Sequence, residues 1–240
     1  MLRLLLILAV LPSFALAAAR VPSGFVSLFD GKTLNGWEGN PALWSVVDNA
    51  ITGRTSAEAP LKSNTFLIWK GGETRNFELR VRFRFLNNNE KKTANSGVQY
   101  RSRVVDPAGW VVGGYQGDFD AAGRYVGMLY EEKGRGIIAK PGERVRLVAP
   151  PAGAKTKPEV VGATAPAEKV AAAFKPADWN DLVIIAEGNH LRHYLNGTMT
   201  ADVTDLDAEK GAAAGVLALQ VHTGPPMTVQ FQSILLKKLP

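Results

Sequence analysis

The segment Phe77–Leu86 alternates without interruption. Phe77, Leu79, Val81, Phe83 and Phe85 take one side, while Glu78, Arg80, Arg82 and Arg84 take the other. A period of two predicts a strand with one face in a core and the other in solvent or at a site. Shorter alternating pieces recur along the chain. They include "LWSVVDNAITG", read as two strands about the turn Asp48-Asn49, then "NTFLIWK", "NSGVQYRSR", "WNDLVIIAEG", "HLRHYLNGT", "GVLALQVHT" and "MTVQFQSILLKKL". Gly, Asn, Asp and Pro punctuate them. "ERVRLVAP" and "VVGAT" read as edge strands, and "GGYQGDFDAAGRYVGMLYEEKGRG" as a less regular glycine-rich stretch. One helix is expected, Ala167 to Phe174, opened by Pro166 and stopped by Lys175-Pro176. It falls in a Pro-, Ala- and Lys-rich excursion over residues 150–173 that reads as exposed. The pattern predicts an all-β chain: a sandwich of two antiparallel sheets, about a dozen strands and one short helix, forming a single domain over residues 24–240.

Three of these strands carry chemistry on their polar sides. In "NSGVQYRSR", Gln99, Arg101 and Arg103 oppose Val98, Tyr100 and Ser102. In "GYQGDFD", Gln116, Asp118 and Asp120 oppose Tyr115 and Phe119. In "LALQVHTG", Gln220 and His222 oppose Leu219 and Val221. Three amide- and charge-bearing faces predict one polar floor able to hold a polar ligand. The plainer alternative is a solvated sheet face on which Arg101 pairs with a carboxylate such as Asp118. Glu131, in "GMLYEEKGRG", is a further carboxylate, with Glu132 on the opposite side if the segment is a strand. His193 shares its face with Leu191 and Leu195 and reads as a core histidine.

Composition narrows the setting. The chain has 240 residues, no cysteine, 46% hydrophobic and 21% charged residues, in the range of an ordinary globule. Its formal charge of +6 is spread along the sequence. No Lys/Arg run exceeds a pair, so nucleic acid is not expected as a partner. Residues 1–19 carry one early positive charge, an apolar run and a small-residue end. This is the pattern of a secretory signal cleaved near Ala17 or Ala19. The mature chain is therefore expected to be exported, periplasmic or extracellular, with no membrane span after cleavage. A phosphate loop, an H-E-x-x-H helix and a G-x-S-x-G elbow are all absent. No cofactor is assigned. Asp118, Glu131, His193 and His222 are of metal-ligand type, but no spacing demands a divalent site. Oligomeric state is not legible.

"FVSLFDGKTLNGW", "NFELRVRFRF", "NSGVQYRSR", "KPADWNDLVIIAEGNHLRHYLNG" and "LALQVHTGPPMTVQFQSILLKKL" occur in this order over roughly residues 24 to 239. With them the chain resembles the 3-keto-disaccharide hydrolase domain family. The resemblance implies a concanavalin-like jelly roll, a fold shared with lectins and laminarinase-type glucanases. It also implies action on glycosides whose ring is oxidised at C3. A C3 ketone acidifies the C2 hydrogen, so a base can form an enolate that expels the C1 substituent, after which water can add. Such a site needs a base near C2, donors for the enolate oxygen and an acid near the leaving group. Arg101 is the candidate enolate donor, Asp118 and Glu131 the candidate bases, and His222 the candidate acid or base. Gln99, Gln116 and Gln220 are candidate substrate-binding residues, and Trp110 and Tyr125 candidate aromatic platforms for a sugar ring. A non-catalytic carbohydrate-binding module of the same fold stays open. A laminarinase-like glycosidase is disfavoured because E-x-D-x-x-E is missing.

Overall fold

The computed structural model describes residues 21–86, 91–151, 154–176 and 178–240. The expected signal, residues 1–19, lies outside them. Seventeen strands and one helix, Ala167–Ala172, are present among the described residues. They form a ten-stranded and a seven-stranded sheet packed face to face. No described helix is long and apolar enough to cross a membrane.

The core is where the alternation places it. The Phe77–Leu86 strand sits between Asn180–Glu187 and Thr228–Lys238 in the larger sheet and buries Phe77, Leu79, Val81, Phe83 and Phe85. The smaller sheet answers with Val98, Tyr100, Tyr115, Phe119, Leu129 and Leu219. Phe83 stacks on Phe119 across the gap at 3.7 Å between ring centres. His193 is fully buried among these residues. It sits 2.9 Å from the Tyr100 hydroxyl, with its Nδ1 against the Gly127 and Met128 carbonyls. Carbonyls only accept, so Nδ1 carries the proton and Nε2 accepts from Tyr100. Burial pushes this imidazole down to about 4, so it is a neutral spacer in the core.

Several elements differ from expectation. The glycine-rich middle is regular: Val111–Asp120 and Met128–Glu132 are adjacent strands of the smaller sheet. Thr198–Leu206 is an additional strand, which pairs in parallel with Glu143–Val148. Glu143–Val148 is thereby interior. The exposed Glu159–Ala163 strand takes the edge.

The smaller sheet runs, in spatial order, Gly136–Ala139, Met128–Glu132, Val111–Asp120, Asn95–Asp106, Val216–Val221, Thr65–Trp69 and Trp37–Glu38. Every pairing in it is antiparallel. A bulge interrupts the pairing of Asn95–Asp106 with Val111–Asp120 between Tyr100 and Arg103. Arg101 sits there at φ 46°, a left-handed backbone that ends the strict alternation.

At one end of the sandwich a buried ion cluster joins the sheets. Arg135 reaches Glu131 at 2.5 Å and Asp205 at 2.6 Å, and the Tyr115 hydroxyl donates to Asp205 at 2.5 Å. Burial opposes the guanidinium charge, but the bonds to Asp205 and Glu131 outweigh it and raise the Arg135 pKa. Replacing Arg135 with Met strands two buried carboxylates. Urea denaturation of Arg135→Met is expected to show a loss of about 3–5 kcal/mol. A loss under about 1 kcal/mol, the level of an exposed pair, would show that the cluster does not join the sheets.

Candidate active site

The outer face of the seven-stranded sheet, turned away from the core, carries a connected set of amides and carboxylates. The chain begins at Ser102, whose hydroxyl donates to Gln99 Oε1 at 2.6 Å. Gln99 Nε2 donates to Gln116 Oε1 at 2.7 Å, and Gln116 Nε2 donates to Asp118 Oδ2 at 2.7 Å. Asn95 Nδ2 donates to the other Asp118 oxygen at 3.0 Å. A branch runs from Gln220, whose Nε2 reaches Gln116 Oε1 at 3.1 Å and Glu132 Oε2 at 3.4 Å. Asn64 Nδ2 donates to Glu132 Oε2 at 3.2 Å, while Asn64 Oδ1 accepts the Thr223 backbone N–H. Donors thus point one way, toward two carboxylates. Gly97 makes room for the network: a Cβ there would sit 2.5 Å from Gln116 Cδ.

A cavity of about 270 Å³ lies over this floor. Gln116, Asp118, Gln220 and His222 line it as expected from sequence, together with Tyr125. The structure adds Asn64, Asn95, Tyr130 and Glu132. Asp120, 2% exposed, holds the loop that carries Tyr125 by accepting the Tyr125 backbone N–H at 2.7 Å and Arg124 Nε at 3.2 Å. His222 Nδ1 donates to the Thr223 carbonyl at 2.5 Å, which leaves Nε2 to act on a ligand.

Four expectations need correction. Arg101 is not on this floor. The bulge turns its guanidinium onto the carbonyls of Arg75, Gly188 and Ala212 and onto Asn76 Oδ1, where it ties loops of both sheets together. It pairs with no carboxylate among the described residues, so the ion pair with Asp118 is absent too. Glu131 faces the interior and belongs to the Arg135 cluster, and its neighbour Glu132 faces the cavity. Trp110 packs over a separate apolar patch of the outer face, Phe66, Ile68, Val112 and Ala218, and does not line the cavity. Gln99 lies fully buried inside the network and acts on Gln116 and Ser102 instead of lining the cavity.

The electrostatics of Asp118 set it apart. It is 5% exposed, and no Lys or Arg forms an ion pair with it or with Glu132 among the described residues. Burial pushes its carboxyl up to about 7; Asn95 and Gln116 oppose this, while Asp120 and Glu132 add to it. Tyr130 is pushed up as well, mainly by burial, and stays protonated at neutrality. No group of three or more His, Asp or Glu is placed to hold a metal ion among the described residues.

The comparisons with known proteins bear on this floor. The profile of the 3-keto-alpha-glucoside-1,2-lyase-like domain family matches residues 24–237. The chain belongs to that family. A 3-keto-disaccharide hydrolase of Bacteroides thetaiotaomicron is 33% identical over 89 residues, which are 34% of this chain and 29% of that relative's length. Two solved structures share the sandwich. A Bacillus subtilis protein with a galectin-like fold has a TM-score of 0.57 at 9% identity, covering 85% of this chain and 90% of its own. The carbohydrate-binding module CBM66 from Bacillus subtilis has a TM-score of 0.53 at 15% identity, covering 85% of this chain and 96% of its own. At such identities these two likenesses speak for the concanavalin-like fold and not for function.

A raised carboxyl is a pH-dependent load on stability. The native state holds a proton that the unfolded chain releases near the ordinary carboxylate value of 3.8, and gives it up only near 7. Stability from this group therefore falls as pH rises from about 4 through about 7. Urea titrations at pH 5 and pH 8 are expected to show the wild type losing about 2–4 kcal/mol relative to Asp118→Asn across that window. Parallel pH profiles would show that Asp118 ionises like a surface carboxylate.

Proposed function

We propose that the chain cleaves glycosides whose sugar ring carries a C3 ketone, on the outer face of the seven-stranded sheet, and that Asp118 is the base. One observation carries the reading. Asp118 is a buried carboxyl with no cationic partner among the described residues, fixed by Asn95 and Gln116 and raised to about 7. A base working at neutrality is most effective with a pKa near the working pH, because it is then both available and strong.

The steps balance simply. The Asp118 carboxylate takes the C2 proton, and the C2–H electron pair forms the C2–C3 double bond while charge moves to the C3 oxygen. The Tyr130 hydroxyl, kept protonated by burial, is the donor assigned to that oxygen in place of Arg101. The enolate re-forms the ketone and makes the C1–C2 double bond as the C1–O bond breaks, and His222, the acid assigned to the leaving oxygen, gives it a proton through Nε2. Addition of water to the unsaturated sugar completes a net hydrolysis. Gln220 Oε1 and Asn95 Oδ1 are buried and lack a donor among the described residues, and hydroxyls of a sugar are the donor type they lack. The Tyr125 ring, at the edge of the cavity, is the platform assigned to a sugar face.

The test is release of a chromogenic alcohol from a 3-keto glucoside beside the unoxidised glucoside. Release is expected from the keto form alone, with the acid limb of kcat/KM rising through about pH 7 as Asp118 deprotonates. Asp118→Asn is expected to lower kcat by about 10²–10⁴-fold. Equal release from the unoxidised glucoside would contradict enolate chemistry.

A further inference from the structure

The surplus positive charge looks dispersed along the sequence, but part of it converges in space. Arg103 comes from Asn95–Asp106, Lys133 from the turn after Met128–Glu132, Lys155 from the segment before Glu159–Ala163, and Lys210 from the loop before Val216–Val221. These four line one cavity of about 520 Å³ at the end of the sandwich that holds the Arg135 cluster. All four are exposed, and none forms an ion pair among the described residues. Lys210 donates to the Thr156 hydroxyl at 3.1 Å, which places a neutral hydrogen-bonding group in the same wall.

The carboxylates nearby cancel part of this charge, Asp207 behind the Thr156 hydroxyl among them. Glu131 is engaged by Arg135, and Glu132 is bonded to Asn64 and Gln220 on the amide floor. Among the described lining residues, Arg103, Lys133, Arg135, Lys155 and Lys210 outnumber Glu131, Glu132 and Glu209 by two charges. Like charges gathered in one recess repel, and a bound anion relieves that repulsion. The volume is within the usual range of about 300–1,000 Å³ for small-molecule sites, more than a lone oxyanion fills.

We infer that this recess is a second binding site, separate from the amide floor, for a saccharide bearing carboxylate or sulfate groups. The cations take the anionic substituents, and Glu209 is set to accept from the hydroxyls between them. The site does not depend on the cleavage reading. It would hold an acidic glycan while the floor binds its own ligand.

Calorimetry with trigalacturonate, neutral maltotriose and inorganic phosphate tests it. Trigalacturonate is expected to bind, more weakly as salt rises, and Lys133→Gln/Lys155→Gln is expected to weaken it by about tenfold or more. A charge-matched pair far from the recess, Lys32→Gln/Lys238→Gln, should leave binding unchanged. Both pairs should release chromophore from a 3-keto glucoside at the wild-type rate. Equal weakening in the two pairs would assign the effect to net charge and overturn the site. So would the absence of trigalacturonate binding, or equal affinity for maltotriose. Phosphate binding as tightly as trigalacturonate would overturn the saccharide assignment in favour of a simple oxyanion site.

Discussion

Two carboxylates, Asp118 and Glu132, stand on the outer face of a sheet with amides for partners and, among the described residues, no cation paired with them. Moving a charge out of water without a counter-charge is costly, and hydrogen bonds recover only part of that cost. The network settles the matter by direction. Gln99 donates to Gln116, Gln116 donates to Asp118, and Gln220 donates to Gln116 and Glu132, so the amide N–H groups run toward the two carboxylates. A floor arranged this way is rigid, polar and poised near neutrality. Those are the properties a base needs and a stability-optimised surface does not. The remaining architecture serves it: a ten-stranded backing sheet, an aromatic core between the layers and a neutral buried histidine that spaces the strands.

The two faces of the smaller sheet divide the work. At one end Arg135, Glu131, Asp205 and Tyr115 close the space between the layers with a cluster that is charged but internally matched. On the outer face, Asp118 and Glu132 are left unmatched. Neighbouring residues on one strand, Glu131 and Glu132, thereby take opposite fates because successive side chains point to opposite faces. The proposed reaction fits this division. Enolate chemistry at a keto sugar requires one base and well-placed donors, without the paired carboxylate spacing of ordinary glycosidases.

Much of this was legible in the residues, and the failures have identifiable causes. Alternation placed Gln116, Asp118 and Gln220 on one face because their strands run regularly through those positions, and His222 follows directly on the end of its strand. The same rule misplaced Arg101, since a bulge with a left-handed residue resets the count and nothing local announces it. Asn64 precedes a strand and Asn95 opens one, so neither sits in a pattern that marks it. They reach the floor through pairings between segments far apart in sequence. Trp110 was read as a sugar platform from its loop context. Three neighbouring strands give it an apolar bed instead.

The claim that Asp118 abstracts the C2 proton can be read separately from bond cleavage. A 3-keto sugar with a non-departing C1 substituent, incubated with the protein in D₂O and followed by proton NMR, reports that step alone. The account predicts loss of the C2 proton signal with the wild type and its retention with folded Asp118→Asn. Exchange that persists in Asp118→Asn, or that never occurs with the wild type, would contradict it.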